Sequence, residues 1–287
     1  MRIRFRLATL AGLIAALTVD AGILTPAEAV MTAADRAKGA CPSIQCRLDD
    51  SVPFSGGARW LRPGEISDPV DDPHADTAGC TTGWGFHDMN SRHVYMLTAY
   101  HCLTDDKGKP ITGMAHTYQG RDLGRLRPFG FPWLSRADIG VIEADAGDQI
   151  FDGPYNTSIK KQVGGMAPTS IGDWVCVSGS FSQTYCDDKV VEARGNGVFV
   201  TACQHRPSCS AGDFHMSGSP VWSIGPGGKA IARGIVHSNV DKIPCKGHVD
   251  GRDRNLWCTS GIEFYDLATA VGYENEGRTD NPLFINK

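Results

Sequence analysis

The sequence is short of several things, and each shortage excludes a class of protein. Charge of one sign is not in excess. Lys and Arg number 28 against 32 Asp and Glu, a net charge of -4, so neither a nucleic acid nor an anionic membrane surface is an expected partner. Aromatic residues make up 8% and charged residues 21% of 287 positions, without the bias of a disordered or collagenous chain. No window between residues 30 and 260 sustains a long apolar stripe of period 3.6, which argues against a helical protein. There is no internal repeat, and no G-x-S-x-G elbow of the α/β-hydrolase kind. The N-terminal apolar run, LATLAGLIAALTV, has 13 residues and is cut short by Asp20, whereas a membrane helix needs about 20.

What stands at the N-terminus is a basic start, MRIRFR, then that apolar run, then a small-residue site, AEA, at Ala27 to Ala29. These three parts make a secretory signal peptide over residues 1–29. The chain is therefore expected to be exported, with no membrane attachment once the peptide is removed. Cleavage after Ala29 takes away three Arg, one Asp and one Glu and leaves a net charge near -5. All ten cysteines lie beyond it, at 41, 46, 80, 102, 176, 186, 203, 209, 245 and 258. An even number in an exported chain reads as disulfides. Cys41 and Cys46 are close enough in sequence to form a local pair. A zinc cluster of Cys203, His205, Cys209 and His215 is the rival, but its spacing matches no familiar finger and an oxidising compartment disfavours free thiolates. No metal and no cofactor are expected.

With 287 residues there is room for one large or two modest domains. Residues 30–52 are Ala- and charge-rich and read as an N-terminal extension or pro-segment. From Pro53 onward the chain runs in short apolar stretches bounded by Gly, Pro, Asp and Ser. HVYMLTA, DIGVIEA, WVCVSG, GVFVTAC, SPVWSIG and AIARGIVHS are each of strand length and mostly rich in Val and Ile. Only EFYDLATAVGYE near the end looks helical. The fold class is all-β with a C-terminal helix, and many short strands separated by turns imply a sandwich or barrels. The polar, Gly-rich stretch 152–170 divides the strands into two groups, 53–151 and 171–273, and reads as an interdomain linker. Residues 274–287 are left as a tail.

Three pieces carry the chemistry. LTAYHC offers His101 at the end of a strand, ADIGVI puts Asp138 at the mouth of another, and MSGSPV puts Ser217 in a tight turn. Alone, each residue has an ordinary structural use: a core histidine, a strand-edge charge, a turn serine. Together they supply what nucleophilic acyl transfer requires, a hydroxyl, a base to take its proton, and an acid group to hold that base's tautomer. Their order along the chain, His, Asp, Ser, is the chymotrypsin order and not that of subtilisin or the α/β-hydrolases.

At these residues the chain resembles the bacterial chymotrypsin-like serine proteases. TAYHC is similar to that family's TAAHC box with Tyr100 for an alanine, DIGVI to its strand-initial aspartate box, and SGSPV to its nucleophile turn. The variant turn is similar to that of the glutamyl endopeptidases, and GDWVCVSGSFSQTYC (172–186) resembles a strand–loop–strand of the streptogrisin branch. The resemblance spans roughly residues 53–273. It implies two orthogonal six-stranded β-barrels with a short C-terminal helix, and a triad of His101, Asp138 and Ser217 in the cleft between them. It also implies a polypeptide substrate and a monomer. The disulfides Cys80–Cys102 and Cys176–Cys186 follow from it. For the rest it suggests Cys209–Cys258 and so Cys203–Cys245, while the local alternative is Cys203–Cys209 with Cys245–Cys258. The oxyanion hole would be the backbone N–H groups of His215 and Ser217. The specificity pocket would involve Ala211, His237 and Ser238, with His237 receiving an acidic side chain and small or acidic residues preferred over basic ones.

The chain departs from the family where His215 and Met216 precede Ser217. Active relatives carry glycine two residues before the nucleophile, because glycine tolerates unusual φ and ψ. Loss of one oxyanion donor removes about 3 kcal/mol of transition-state stabilisation. A weakened homologue that binds polypeptide without cleaving it is therefore the rival class.

Overall fold

The computed structural model describes residues 51–65, 79–88, 93–117, 120–153, 158–180, 183–203, 210–211, 216–241, 243–249, 252–276 and 283–285. The signal peptide, the 30–50 segment with Cys41 and Cys46, and His205, Cys209 and His215 lie outside the described residues. All described residues belong to one compact unit, 31–287.

The chain runs through β1 (Phe54–Gly56), β2 (Arg59–Leu61), β3 (Cys80–Thr81), β4 (Gly85–Asp88), β5 (Val94–Ala99), β6 (Met114–Thr117) and β7 (Asp122–Leu126). A short helix, α1 (Pro132–Arg136), leads into β8 (Ile139–Ala144) and β9 (Ala146–Phe151). Then come β10 (Lys160–Met166), β11 (Trp174–Gly179), β12 (Gln183–Ala193), β13 (Val198–Cys203), β14 (Ser210–Ala211), β15 (Pro220–Ile224) and β16 (Ala230–Asn239). The last elements are β17 (Ile243–Val249), β18 (Arg252–Thr259), β19 (Ile262–Asp266), α2 (Leu267–Glu276) and β20 (Leu283–Ile285).

All six stretches read as strands from their composition hold strands. Two sheets form from them. In the second half, β16, β15, β11, β12, β13 and β19 are neighbours in that order, and β19 pairs back onto β16. That closes a six-stranded ring, the barrel expected for this half. The first half forms an open sheet in the order β20-β4-β5-β8-β7-β6-β2-β3, curled into a half-barrel. A small three-stranded sheet, β14-β18-β17, lies apart from both in pairing.

Alternation along the strands assigns the cores. On β5, Met96 joins Trp60, Leu103 and Ile142 inside the first sheet, while its neighbours Tyr95 and Leu97 face a second cluster; Ala99, at the strand's end, breaks the alternation and falls in the first. The second cluster also takes Cys176, Trp222 and Ile235 from the second half, so successive β5 side chains serve two cores, as period 2 dictates. Inside the closed barrel, Val175, Val177, Met216, Val221, Val236 and Phe264 make a third cluster. Trp84 binds the two halves directly, its indole N–H donating to the Gly234 carbonyl at 2.9 Å.

Three places differ from the sequence-based reading. The stretch 152–170 carries β10, paired antiparallel to β9 and parallel to β16, so this part of the connection is hydrogen-bonded sheet. Gly-rich KKQVGGM has weak strand propensity, and pairing on both edges supplies what propensity does not. In EFYDLATAVGYE only the second part is helical: EFYD is β19, and Asp266 ends it by accepting from the Thr269 N–H at 2.9 Å and the Thr169 N–H at 2.8 Å. The first of these bonds caps α2. The tail adds β20 to the edge of β4, with Leu283 and Ile285 buried and Phe284 exposed between them. No helix among the described residues is long and apolar enough to cross a membrane.

Candidate active site

Asp138 owes its place to the end of α1. The helix closes through the Ala137 and Asp138 N–H groups, and Asp138 takes φ +48°, a left-handed conformation that aspartate tolerates better than most residues. The turn delivers Ile139 opposite Ala99 in the β5–β8 pairing. Asp138, one residue earlier, therefore stands beside the residues that follow β5. Those residues, Tyr100 to Leu103, form a 3₁₀ turn. The Tyr100 N–H donates to the Asp138 carbonyl at 2.7 Å, and the His101 N–H donates to Asp138 Oδ1 at 2.8 Å. The His101 ring completes the grip, with Nδ1 2.7 Å from Oδ2.

The second imidazole on this carboxylate is His237, whose Nδ1 lies 2.6 Å from the same Oδ2. Burial opposes ionisation of Asp138, but the hydrogen bonds and charge attraction of His101 and His237 outweigh it and hold its pKa below the ordinary value. An ionised carboxylate only accepts, so both Nδ1 atoms carry protons towards it. His101 then keeps the Nε2 lone pair that a general base requires. The donor atoms of His101, Asp138 and His237 lie within 4.8 Å of one another, and with both Nδ1–H groups turned to Asp138 they form one hydrogen-bonded set.

Ser217 sits half-buried in a turn clamped from two sides. Its carbonyl accepts from the Thr81 N–H at 2.9 Å, and the Gly218 N–H donates to the Val236 carbonyl at 3.0 Å. Met216 is buried in the barrel core and anchors the preceding residue. Gly218 has φ +90°, and a Cβ there would lie 2.3 Å from both Thr81 O and Thr98 Oγ1. The turn thus packs against the end of β5, the strand that delivers His101. The disulfide Cys80–Cys102 ties the His101 turn to β3, and β3 is also the strand that holds Ser217. Gly218→Ala combines a strained φ with a clash against the Thr81 carbonyl and another against the Thr98 hydroxyl, so a loss of about 3 kcal/mol in unfolding free energy is expected. A urea titration that left the midpoint unchanged would refute the close packing of this turn.

The remaining expected residues fall as follows. Cys176–Cys186 is bonded as expected. Cys203 is also disulfide-bonded, which removes its thiolate from the rival zinc set. Its partner lies outside what is described. Ala211 pairs with Cys258 in the small sheet. Ser238 is not a free pocket hydroxyl, since it donates to Glu263 Oε2 at 3.1 Å. His237 commits its Nδ1 to Asp138. It lies where the β16–β19 pairing shifts register, between Val236 and Ser238, so alternation counted along the sequence does not give its direction. Glu263 and Tyr265, which flank His237, carried no signal in the sequence.

No protein-family model matches this sequence, and no curated protein matches it. Solved structures do. A glutamic acid specific serine protease, described as using a novel histidine triad in substrate binding, aligns with a TM-score of 0.51 at 14% identity, covering 81% of this chain and 100% of its own. Thermobifida fusca protease A aligns at 0.49, with 14% identity over 81% of this chain and 98% of its own. A Nocardiopsis protease aligns at 0.47, with 16% identity over 81% and 98%. The fold is therefore the chymotrypsin-like fold of bacterial serine proteases. At such identity it is the fold that is shared, and the chemistry is argued from this chain's own residues.

Proposed function

We propose that this chain is a secreted serine endopeptidase acting through His101, Asp138 and Ser217. The observation that carries the reading is the double grip of Asp138 on His101, through backbone N–H and ring Nδ1, beside a serine turn clamped to β3 and β16. In this reading Ser217 Oγ attacks the peptide carbonyl carbon and its proton passes to His101 Nε2. His101 then protonates the leaving amine, and water repeats the sequence to release the acyl group. The oxyanion is held by the N–H groups of Ser217 and His215. No cofactor or metal takes part, and the enzyme works on polypeptides as a monomer. Export through the 1–29 signal peptide accords with the disulfides Cys80–Cys102 and Cys176–Cys186.

The secreted protein is expected to be labelled covalently by a fluorophosphonate probe, which reports an activated serine without knowledge of the substrate. Labelling should vanish in Ser217→Ala. If the wild-type protein resists the probe across the pH range, the reading fails, and the weakened homologue that binds without cleaving takes its place.

A further inference from the structure

Acyl transfer needs one imidazole on the orienting carboxylate, and this site has two. His101 and His237 approach the same Oδ2 atom at 2.7 and 2.6 Å. Their ring centroids are 6.0 Å apart and their planes 73° apart, so they converge edge to face without stacking. The His101 side chain is 43% exposed, His237 36% and Asp138 14%. The shared carboxylate is thus the covered member, and both imidazoles reach water. Tyr265 closes the far side of His237, ring against ring at 5.4 Å, and Glu263 acts on it through its charge. With Asp138 and His101, these are the titratable groups that bear on His237 among the described residues.

We propose that His237 is a positioning residue of the acyl-transfer site, which in its neutral form steadies Asp138 for His101 and in its protonated form disables that site. The inference rests on the triad reading above. Neutral His237 donates one N–H to Oδ2 and leaves the carboxylate ionised and aimed at His101. A hydroxyl could do the same, but a hydroxyl does not titrate in this range and an imidazole does. Asp138 makes protonation easier: its hydrogen bond is the largest influence, burial opposes it, and the charges of Asp138 and Glu263 add to it, so the His237 pKa is raised.

One consequence follows from sharing one carboxylate. Once His237 carries a proton, the imidazolium that must form on His101 during catalysis meets a like charge about 6 Å away and competes with it for the same oxygen. The acid limb of activity therefore lies at higher pH than a single imidazole would set, and the enzyme is restrained in acid surroundings.

The test measures the rate of fluorophosphonate labelling against pH for the full chain, as wild type, His237→Asn and His237→Leu. The asparagine amide donates a hydrogen bond as the imidazole does but does not titrate. Its acid limb is expected at lower pH than that of the wild type, because the His237 pKa is raised by Asp138 and the amide that replaces it does not titrate. His237→Leu, which offers no donor, is expected to label about tenfold more slowly over the whole range, the loss of one buried charge-assisted bond. Superimposable acid limbs overturn the role given to His237 while leaving the protease reading intact. A wild type that never labels overturns both.

Discussion

Ser217→Ala is expected to lower kcat by about 10⁶-fold, and Asp138→Asn by about 10⁴-fold, the scale of these positions in other Ser-His-Asp enzymes. Alanine removes the nucleophile outright and leaves the turn untouched, since the bonds that hold it run through the Ser217 carbonyl and the Gly218 N–H. Its unfolding midpoint should therefore match the wild type while turnover collapses. Asparagine acts differently. Its amide turns donors towards two Nδ1–H groups that already donate, so one imidazole must move its proton to Nε2 or swing away. If His101 yields, its base nitrogen is occupied and Ser217 keeps its proton. Steady-state kinetics on a peptide substrate beside far-UV circular dichroism checks both variants. A folded Ser217→Ala protein hydrolysing peptide within tenfold of wild type would dismantle the mechanism.

The second large effect concerns stability. Asp188 lies on β12, fully buried, and among the described residues no hydrogen bond of good geometry reaches either of its carboxylate oxygens. Burial is the largest influence on it, the nearby Thr201 hydroxyl opposes that influence and the charge of Asp187 adds to it; the pKa is pushed from 3.8 up to about 7. Between those two values the folded protein holds a proton that the unfolded chain has released. Unfolding free energy must therefore fall as pH rises through this window, by about 4 kcal/mol in total. The depressed pKa of Asp138 works with the opposite sign, but its window lies below the ordinary carboxylate value and does not overlap. Urea unfolding at pH 5 and pH 8 should show the wild type weaker at pH 8. The raised His237 pKa acts with the same sign above pH 6.5, so Asp188→Asn, which keeps the shape and cannot ionise, should lose the slope below that value. An equal slope in both proteins would rule out Asp188 as its source.

The sequence by itself determined the strand character of most of the chain, because alternation and turn residues are local properties and period 2 is legible in a stretch such as HVYMLTA. It also determined which residues could do the chemistry, since a histidine, an aspartate and a serine in separate boxes are recognisable wherever they end up. Tertiary structure decided the rest. β10 is a strand because two neighbours pair with it, β20 because β4 offers an edge, and EFYD is sheet because Asp266 caps the helix only after it. Whether the first half closes depends on pairings between residues far apart, and among the described residues it curls into a half-barrel. His237 is the sharpest case. Its place in the sequence fits a pocket wall or a strand filler equally well. Only the packing of β16 against the first sheet turns it onto the carboxylate that orients His101, because the direction of a side chain is set by register and register is settled by the whole fold.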